Sequence, residues 1–445
     1  MAKNNYWLKN GALNIIQNLV TVFIGVGSLY ILVRLLSKDQ YGTWVLFLSV
    51  VSIVEVARNG FTQEALVKYL APANEVEGAQ INTAALAINF GITAIIVVAL
   101  LFMGPFLSAT WNAPEFAHML QLYSIVFFVS AILSQINCIE QARLHFSGIF
   151  YSNVARQVLF LSYISYCYIT NTTTNVIALT YVQIICVVCS TLVALSFTIK
   201  KIKLSKKLNL DWIKKIFHFG KYSFGVSLTT MIATSLDQMM LASYVSKSAS
   251  ASFNIAVRVS NFVEIPTTAM ATIAYPQSAK RIAEEGESSI KYIFERSVGV
   301  VLAMLIPAII FVFFFSEFVI HLLAGHKYDD SIPLIKIIIA TYMFGAFSRQ
   351  TGMIFSSAGK TRLNFYLLLL SFATVIGTNL IFIKAFGAIG IAYAMVVASV
   401  INFTVGQLIL NKYFNTNPIN AFKYAWAFYP EFYNSYVKKI LFPKK

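Results

Sequence analysis

Apolar residues run through this chain in long blocks, not in alternation. A helix that crosses a bilayer needs about 20 mainly apolar residues. Twelve stretches meet that length, roughly 11–36, 41–67, 82–108, 116–142, 148–170, 174–199, 214–245, 251–279, 293–324, 332–357, 363–385 and 387–411. They are far longer than the alternating strands of a membrane barrel, so the pattern predicts an all-α membrane protein with twelve transmembrane helices. Several exceed a minimal span, which implies tilt or extension past the headgroups. The first is too long for the apolar core of a signal peptide and lacks a clear cleavage site, so it is expected to be retained.

The polar connections test this count. Cytoplasmic loops concentrate Lys and Arg, and every second loop should do so. The N-terminus holds Lys3 and Lys9. The even-numbered connections hold Lys68; Arg143 and Arg156; a run from Lys200 to Lys221; Lys280, Arg281, Lys291 and Arg296; and Lys360 with Arg362. The odd-numbered connections hold only Lys38, Lys247, Lys327 and Lys384. With the six lysines of residues 412–445, twenty-five basic residues fall on one side and four on the other, with five inside spans. The expected topology is multi-pass, with both termini cytoplasmic.

Composition agrees. Of the 445 residues, 58% are hydrophobic and 12% charged, against about 25% charged in soluble domains. The net charge of +16 raises the question of nucleic acid. The basic residues flank apolar segments and do not form aromatic-interleaved patches, so they read as topology determinants facing anionic lipid. Cys138, Cys167, Cys186 and Cys189 all lie in apolar stretches. The C-x-x-C of Cys186 and Cys189 has no companion pair and no nearby His, so buried thiols are expected, with no metal and no cofactor.

A basic stretch at 200–213 divides six spans from six. The expected organisation is an N-terminal six-helix bundle (1–199), a basic cytoplasmic linker (200–213), a C-terminal six-helix bundle (214–411) and a cytoplasmic interfacial tail (412–445). An even number of spans per half gives parallel halves, one of the repeat symmetries of secondary transporters. Residues 37–77 laid without gaps on 246–286 share seven identities, among them Ser37-Lys38 with Ser246-Lys247 and Glu55 with Glu264. The tail mixes Phe422, Trp426 and Tyr429 with Lys423 and is interrupted by Pro430. It reads as an interfacial segment or a loosely ordered end.

Ionisable residues inside spans are costly and usually face a bundle interior or a wet cavity. Arg34, Lys336, Glu64 and Glu140 lie near span ends, where snorkelling or local pairing accounts for them. Glu55 and Arg58 share a face of span 2. Arg258 and Glu264 lie on span 8, Asp237 on span 7 and Arg349 on span 10. These deeper charges read either as buried ion pairs that fix packing or as a charged aqueous cavity. On the cavity reading, Arg58, Arg258 and Arg349 bind an anionic substrate, and Glu55, Asp237 and Glu264 serve ion or proton coupling. Polar residues on span 1 (Asn14, Gln17, Asn18, Thr21) and span 7 (Ser227, Thr230, Thr234, Gln238) favour the cavity. Pro266, two residues after Glu264, marks a bend beside a charge.

The stretch from Arg34 to Gly42, Arg-Leu-Leu-Ser-Lys-Asp-Gln-Tyr-Gly, resembles the junction of spans 1 and 2 in bacterial polysaccharide flippases. These are the Wzx-type members of the multidrug/oligosaccharidyl-lipid/polysaccharide exporter superfamily. Similar features are Asp237 with the polar loop to Ser252, the Ala274-Tyr275-Pro276-Gln277-Ser278 segment, and the turn Gly325-His326-Lys327-Tyr328. The resemblance covers residues 1 to about 411. It implies two six-helix bundles facing each other in a V around a central cavity. It implies transport, from the cytoplasmic to the periplasmic leaflet of the bacterial inner membrane, of undecaprenyl-diphosphate-linked oligosaccharide such as an O-antigen repeat of lipopolysaccharide. An antiporter-like coupling to H+ or Na+ would accompany it. The arginines suit the diphosphate through forked hydrogen bonds. The rival transport readings are a cation-coupled exporter of small amphipathic compounds and a lipid II flippase. A membrane-embedded assembly enzyme is the reading from another class. Against it stand short internal connections and the lack of Walker A, H-E-x-x-H or G-x-S-x-G patterns.

Overall fold

Each polar break between apolar runs carries the chemistry that ends one helix and starts the next. Ser37 accepts a hydrogen bond from the Gln40 amide at 3.1 Å while the Gln40 side chain returns to the Ser37 amide, a capping box. Asn74, Asn175 and Asn209 cap the following helices through their side-chain oxygens. Ser246 accepts from the Ala249 amide at 3.0 Å. Gly387 takes a positive φ of 62°, as does Asn415 at 51°, where one helix stops and the chain turns.

The computed structural model describes residues 20–143, 146–199, 202–265, 267, 270, 286, 289–358 and 360–432. Asn14, Gln17, Asn18, Pro266 and the 274–278 segment lie outside them, as do the side chains of Glu64, Thr230 and Thr234. The helices are α1 (Val20–Leu35), α2 (Lys38–Leu70), α3 (Glu75–Thr110), α4 (Pro114–Ala142), α5 (Ser147–Ile169), α6 (Val176–Thr198), α7 (Leu210–Tyr244) and α8 (Lys247–Asn261). After them come α9 (Ser289–Phe314), α10 (Ser316–Leu323), α11 (Ser331–Ser357), α12 (Thr361–Phe386), α13 (Ala388–Phe414) and α14 (Pro418–Phe432). Among the described residues there is no strand.

Eight of these helices, α2, α3, α4, α6, α9, α11, α12 and α13, are long and apolar enough to cross a membrane. The chain is a multi-pass helical membrane protein. Of the spans expected from sequence, α1, α5, α7 and α8 fall short of that test. Only 16 residues of α1 are described. Helix α8 is described as only 15 residues, too short for the test, and polar residues thin the apolar character of α5, α7 and α8 alike: Asn153, Arg156 and Gln157 in α5; Lys214, Lys215, Lys221, Asp237 and Gln238 in α7; Lys247, Asn254 and Arg258 in α8.

By internal contact the chain forms two compact units, Met1–Ala251 and Ser252–Lys445. The first therefore holds α7, which follows the basic linker in sequence. In this unit α4 packs against α2, α3 and α6, α5 lies on α6, and α7 lies along α2. Glycines permit the α2–α7 approach. A side chain at Gly220 would collide with the Phe61 carbonyl, and one at Gly60 would come 2.8 Å from the Phe224 Cα; near the start of α2, one at Gly42 would collide with the Lys247 carbonyl of α8. The basic linker is tied to the start of α3. The Ser205 amide donates to Thr83 at 2.8 Å, Asn209 donates to Gln80 at 3.0 Å, and Lys203 pairs with Glu75.

In the second unit α11 packs on α9 and α13, and α12 lies along α13. The described part of the tail, to residue 432, ends in a helix. Its helix α14 runs along α9, and a side chain at Gly299 would clash with Tyr424 and Ala421. Glu295, buried in α9, accepts from the Asn417 amide at 2.8 Å and from Asn420 at 3.1 Å, so a carboxylate sits at the α14 N-terminus. Further along, the Tyr429 hydroxyl donates to the Ala303 carbonyl at 2.7 Å.

Candidate functional site

Residues 254, 258, 261 and 264 are spaced by four, three and three, so they form one stripe on the end of α8. Here α8 stops at Asn261 and tightens into a 3-10 turn over Phe262–Glu264. Pro266 has no N–H with which to continue a helical ladder, and this tightening falls just before it. The stripe meets α11. Ser331 donates to the Ser252 carbonyl at 3.0 Å near the start of both helices. Tyr342 donates to Asn261 at 2.6 Å. Two turns further along α11, Arg349 is ion-paired with Glu264. Both partners are partly open, Arg349 at 45% and Glu264 at 32% side-chain exposure.

Arg258 completes the stripe. It is exposed, and its Nε donates to Asn254 at 2.9 Å. Among the described residues no partner reaches its two terminal nitrogens. An aimed guanidinium with its fork unengaged is suited to a phosphate or carboxylate. Arg258, Glu264 and Arg349 are thus brought together on neighbouring faces of one unit.

Arg58 is placed differently. It is 2% exposed. Its Nη1 donates to the Phe127 carbonyl at 2.9 Å and the Ser130 hydroxyl at 2.8 Å, and its Nη2 to the Ser130 carbonyl at 3.3 Å. The guanidinium therefore locks α2 onto α4. Glu55, one turn earlier, is half-buried, and no hydrogen-bond partner reaches it among the described residues. Asp237 is half-buried on α7; the neighbouring Gln238 accepts from Ser49 of α2 at 3.1 Å.

Sequence reasoning missed several polar residues. Glu140 is not a snorkelling end residue. It is buried and accepts from the Gly148 and Ile149 amides, at 2.7 and 3.2 Å, and from Thr198 at 2.9 Å. It caps the first turn of α5 and ties it to α6. A row of polar side chains, the Thr62 hydroxyl donating to Asn89 at 2.8 Å and the Asn89 amide donating to Gln135 at 3.1 Å, links α2, α3 and α4 in the interior. In the second unit a cavity of about 280 Å³ opens between α11, α12 and α13, lined by hydroxyl and amide groups and by no charged side chain. Its signal in the sequence was Ser and Asn at helical spacing.

As for metals, His321, His326 and Asp329 each place a ligand atom within 4.8 Å of the others on the turn before α11. His321 Nε2 is 2.8 Å from Asp329 Oδ1, and this pair already clamps the turn. The four cysteines are free thiols, three of them buried.

The fold is shared with solved membrane proteins. The chain aligns over 98% of its length with a structure of the lipid II flippase MurJ in an inward closed conformation (TM-score 0.76, 14% identity, 94% of that chain). It also aligns over 88% with an inward-facing multidrug resistance MATE transporter of the MOP superfamily (TM-score 0.72, 15% identity, 95% of that chain). The model of the polysaccharide biosynthesis protein family matches residues 31–333, and the chain belongs to that family. It is 19% identical over 325 residues to the teichuronic acid biosynthesis protein TuaB of Bacillus subtilis, covering 72% of this chain and 66% of TuaB. It is 17% identical over 400 residues to the lipopolysaccharide biosynthesis protein WzxC of Escherichia coli, covering 89% of this chain and 79% of WzxC. The chain thus spans just under two thirds of TuaB.

Proposed function

We propose that this protein is a flippase that moves a lipid-diphosphate-linked oligosaccharide across the bacterial inner membrane by alternating access. Membership of the polysaccharide biosynthesis family supports this reading, and the chain shares a fold with transporters. The observation that carries the substrate class is Arg258, an exposed arginine on a membrane helix whose forked end has no partner among the described residues. An arginine in that setting needs an anion. A diphosphate supplies one, and the lipid tail can stay in the bilayer.

The proposed arrangement is twelve spans in two six-helix bundles, with both termini cytoplasmic. The spans too polar to count as simple lipid-facing helices, α5, α7 and α8, then face the polar path. In this reading the diphosphate binds Arg258 and competes with Glu264 for Arg349. Its arrival releases the Glu264 carboxylate, which becomes available to a proton or Na+ entering from outside. Glu55 and Asp237 stand as further coupling groups in the first unit. Arg58 keeps α2 on α4 and does not meet the phosphate. Arginines at the site disfavour a cationic drug as cargo, which sets the multidrug reading second, and nothing in the proposal needs bond-making chemistry.

The test is headgroup translocation in proteoliposomes with an undecaprenyl-diphosphate oligosaccharide under a pH gradient. Arg258→Gln and Arg349→Gln should slow flipping at least tenfold, the scale of one lost charge-assisted contact of about 1.5–3 kcal/mol. A well-folded protein that flips no lipid-linked oligosaccharide, and exports a small cation instead, would sink the proposal. If Glu55→Gln with Glu264→Gln leaves rate and pH dependence intact, those two carboxylates are not the coupling groups.

A further inference from the structure

The cavity between α11, α12 and α13 is distinct from the ion-paired stripe. Each helix offers it one face at helical spacing: Gly345, Ser348 and Gly352 on α11; Asn364 and Ser371 on α12; Ser399, Asn402 and Gly406 on α13. Its volume of about 280 Å³ is near the lower bound of small-molecule pockets, roughly 300 Å³. That is far more than the roughly 30 Å³ one water occupies in the liquid. A side chain added at Gly345 would meet nothing within 4 Å.

The wall is polar. Gln407, at the cavity's edge, is 8% exposed, and its Oε1 is buried behind the wall with no hydrogen-bond partner among the described residues. An unpaired buried acceptor is costly, so a donor in the cavity toward which the Gln407 amide can turn would relieve it. Asn402 is oriented by donating to Ser371 at 3.1 Å. Asn364 and Ser348 add further amide and hydroxyl groups, which both donate and accept.

Charge decides the ligand class. No carboxylate lines the cavity, which disfavours a bare cation, and no Lys or Arg lines it, which disfavours phosphate. A neutral ring with several hydroxyls matches the set, and Phe403 offers its C–H face an apolar wall. Ser348 and Gly352 bracket Arg349 along α11, so the cavity sits at the same level as the ion pair, on the adjoining face. We propose that this cavity is a subsite for a neutral sugar ring of the lipid-linked substrate, next to the residues that take its diphosphate. The inference rests on the flippase reading and adds where the sugar is recognised.

The experiment compares two probes in nanodiscs: undecaprenyl diphosphate, and undecaprenyl diphosphate carrying one N-acetylhexosamine. The wild type should bind the sugar-bearing lipid about tenfold more tightly. Gln407→Leu and Asn402→Ala should lower its affinity to that of the bare lipid while leaving the bare lipid's affinity unchanged. Gly345→Val, which fills open space and removes no polar group, should do the same and guards against a merely unfolded variant. If the wild type prefers the sugar-bearing lipid and all three variants keep that preference, the sugar is read elsewhere and the flippase reading stands. If the wild type shows no preference, the subsite is overturned. If neither lipid binds, the flippase reading falls with it.

Discussion

Arg58→Met separates a packing arginine from a substrate-binding one. The guanidinium makes three hydrogen bonds to α4, all within 3.3 Å. Charge-assisted bonds are worth roughly 1.5–3 kcal/mol each when made. Two of the three acceptors, the Phe127 and Ser130 carbonyls, lie inside α4 and keep their helical bonds without the arginine. The third, the Ser130 hydroxyl, still donates to the Phe127 carbonyl at 3.0 Å. Removal therefore orphans little. It also relieves the burial of a cation whose Nε has no partner among the described residues, a penalty of several kcal/mol. The two contributions nearly cancel, so Arg58→Met, which keeps the volume, should cost about 1–2 kcal/mol. Arg58→Ala also opens a cavity and should cost about 2–5 kcal/mol. Thermal unfolding in detergent, followed by the monodisperse fraction on size exclusion, should rank the wild type above Met and Met above Ala. Arg58→Met reconstituted in liposomes should still flip substrate within about threefold of wild type, the rate change that corresponds to less than 1 kcal/mol. A Met variant as stable as wild type that no longer flips would refute this reasoning and return Arg58 to the substrate path.

Glu140→Gln leaves the α5 amides with a weaker acceptor and should lower stability by about 1–2 kcal/mol, read as a reduced unfolding temperature. Gly148→Ala should destabilise similarly, because its methyl would press on the Glu140 carboxyl at the same cap. Glu295→Ala should free α14 from α9, seen as faster amide exchange over 418–432 with the rest of the chain unchanged. Gly220→Leu should push α7 off the Phe61 backbone and reduce both folded yield and transport, whereas Gly377→Ala, a methyl in open space, should leave both unaltered.

The apolar blocks carried the helical membrane architecture plainly, because lipid leaves so few ways to satisfy a backbone. The weak repeat was also informative at one local point. Ser37 and Ser246, superposed by the 209-residue offset, each cap their helix through the same i to i+3 bond. The partners of buried charges were not legible. Arg58 meets acceptors 69 and 72 residues away, and Glu295 meets the tail 122 residues on. No local spacing encodes such pairs. Glu55 and Arg58 share a helical face, yet one is enclosed by α4 and the other is not. The neutral cavity was missed because attention to ionisable groups passes over Asn, Gln and Ser, which become costly only once the fold removes their partners.

The glycines along α2 and α7 bear on timing as well as on packing. Where Gly60 and Gly220 let main chain touch main chain, parting or closing the two helices there orders few side-chain rotamers. Such a seam can open and reseal with little entropy to recover on each pass. A carrier that must visit two states of nearly equal free energy is helped by a contact of this kind, since neither state is then held by a large set of interlocked side chains.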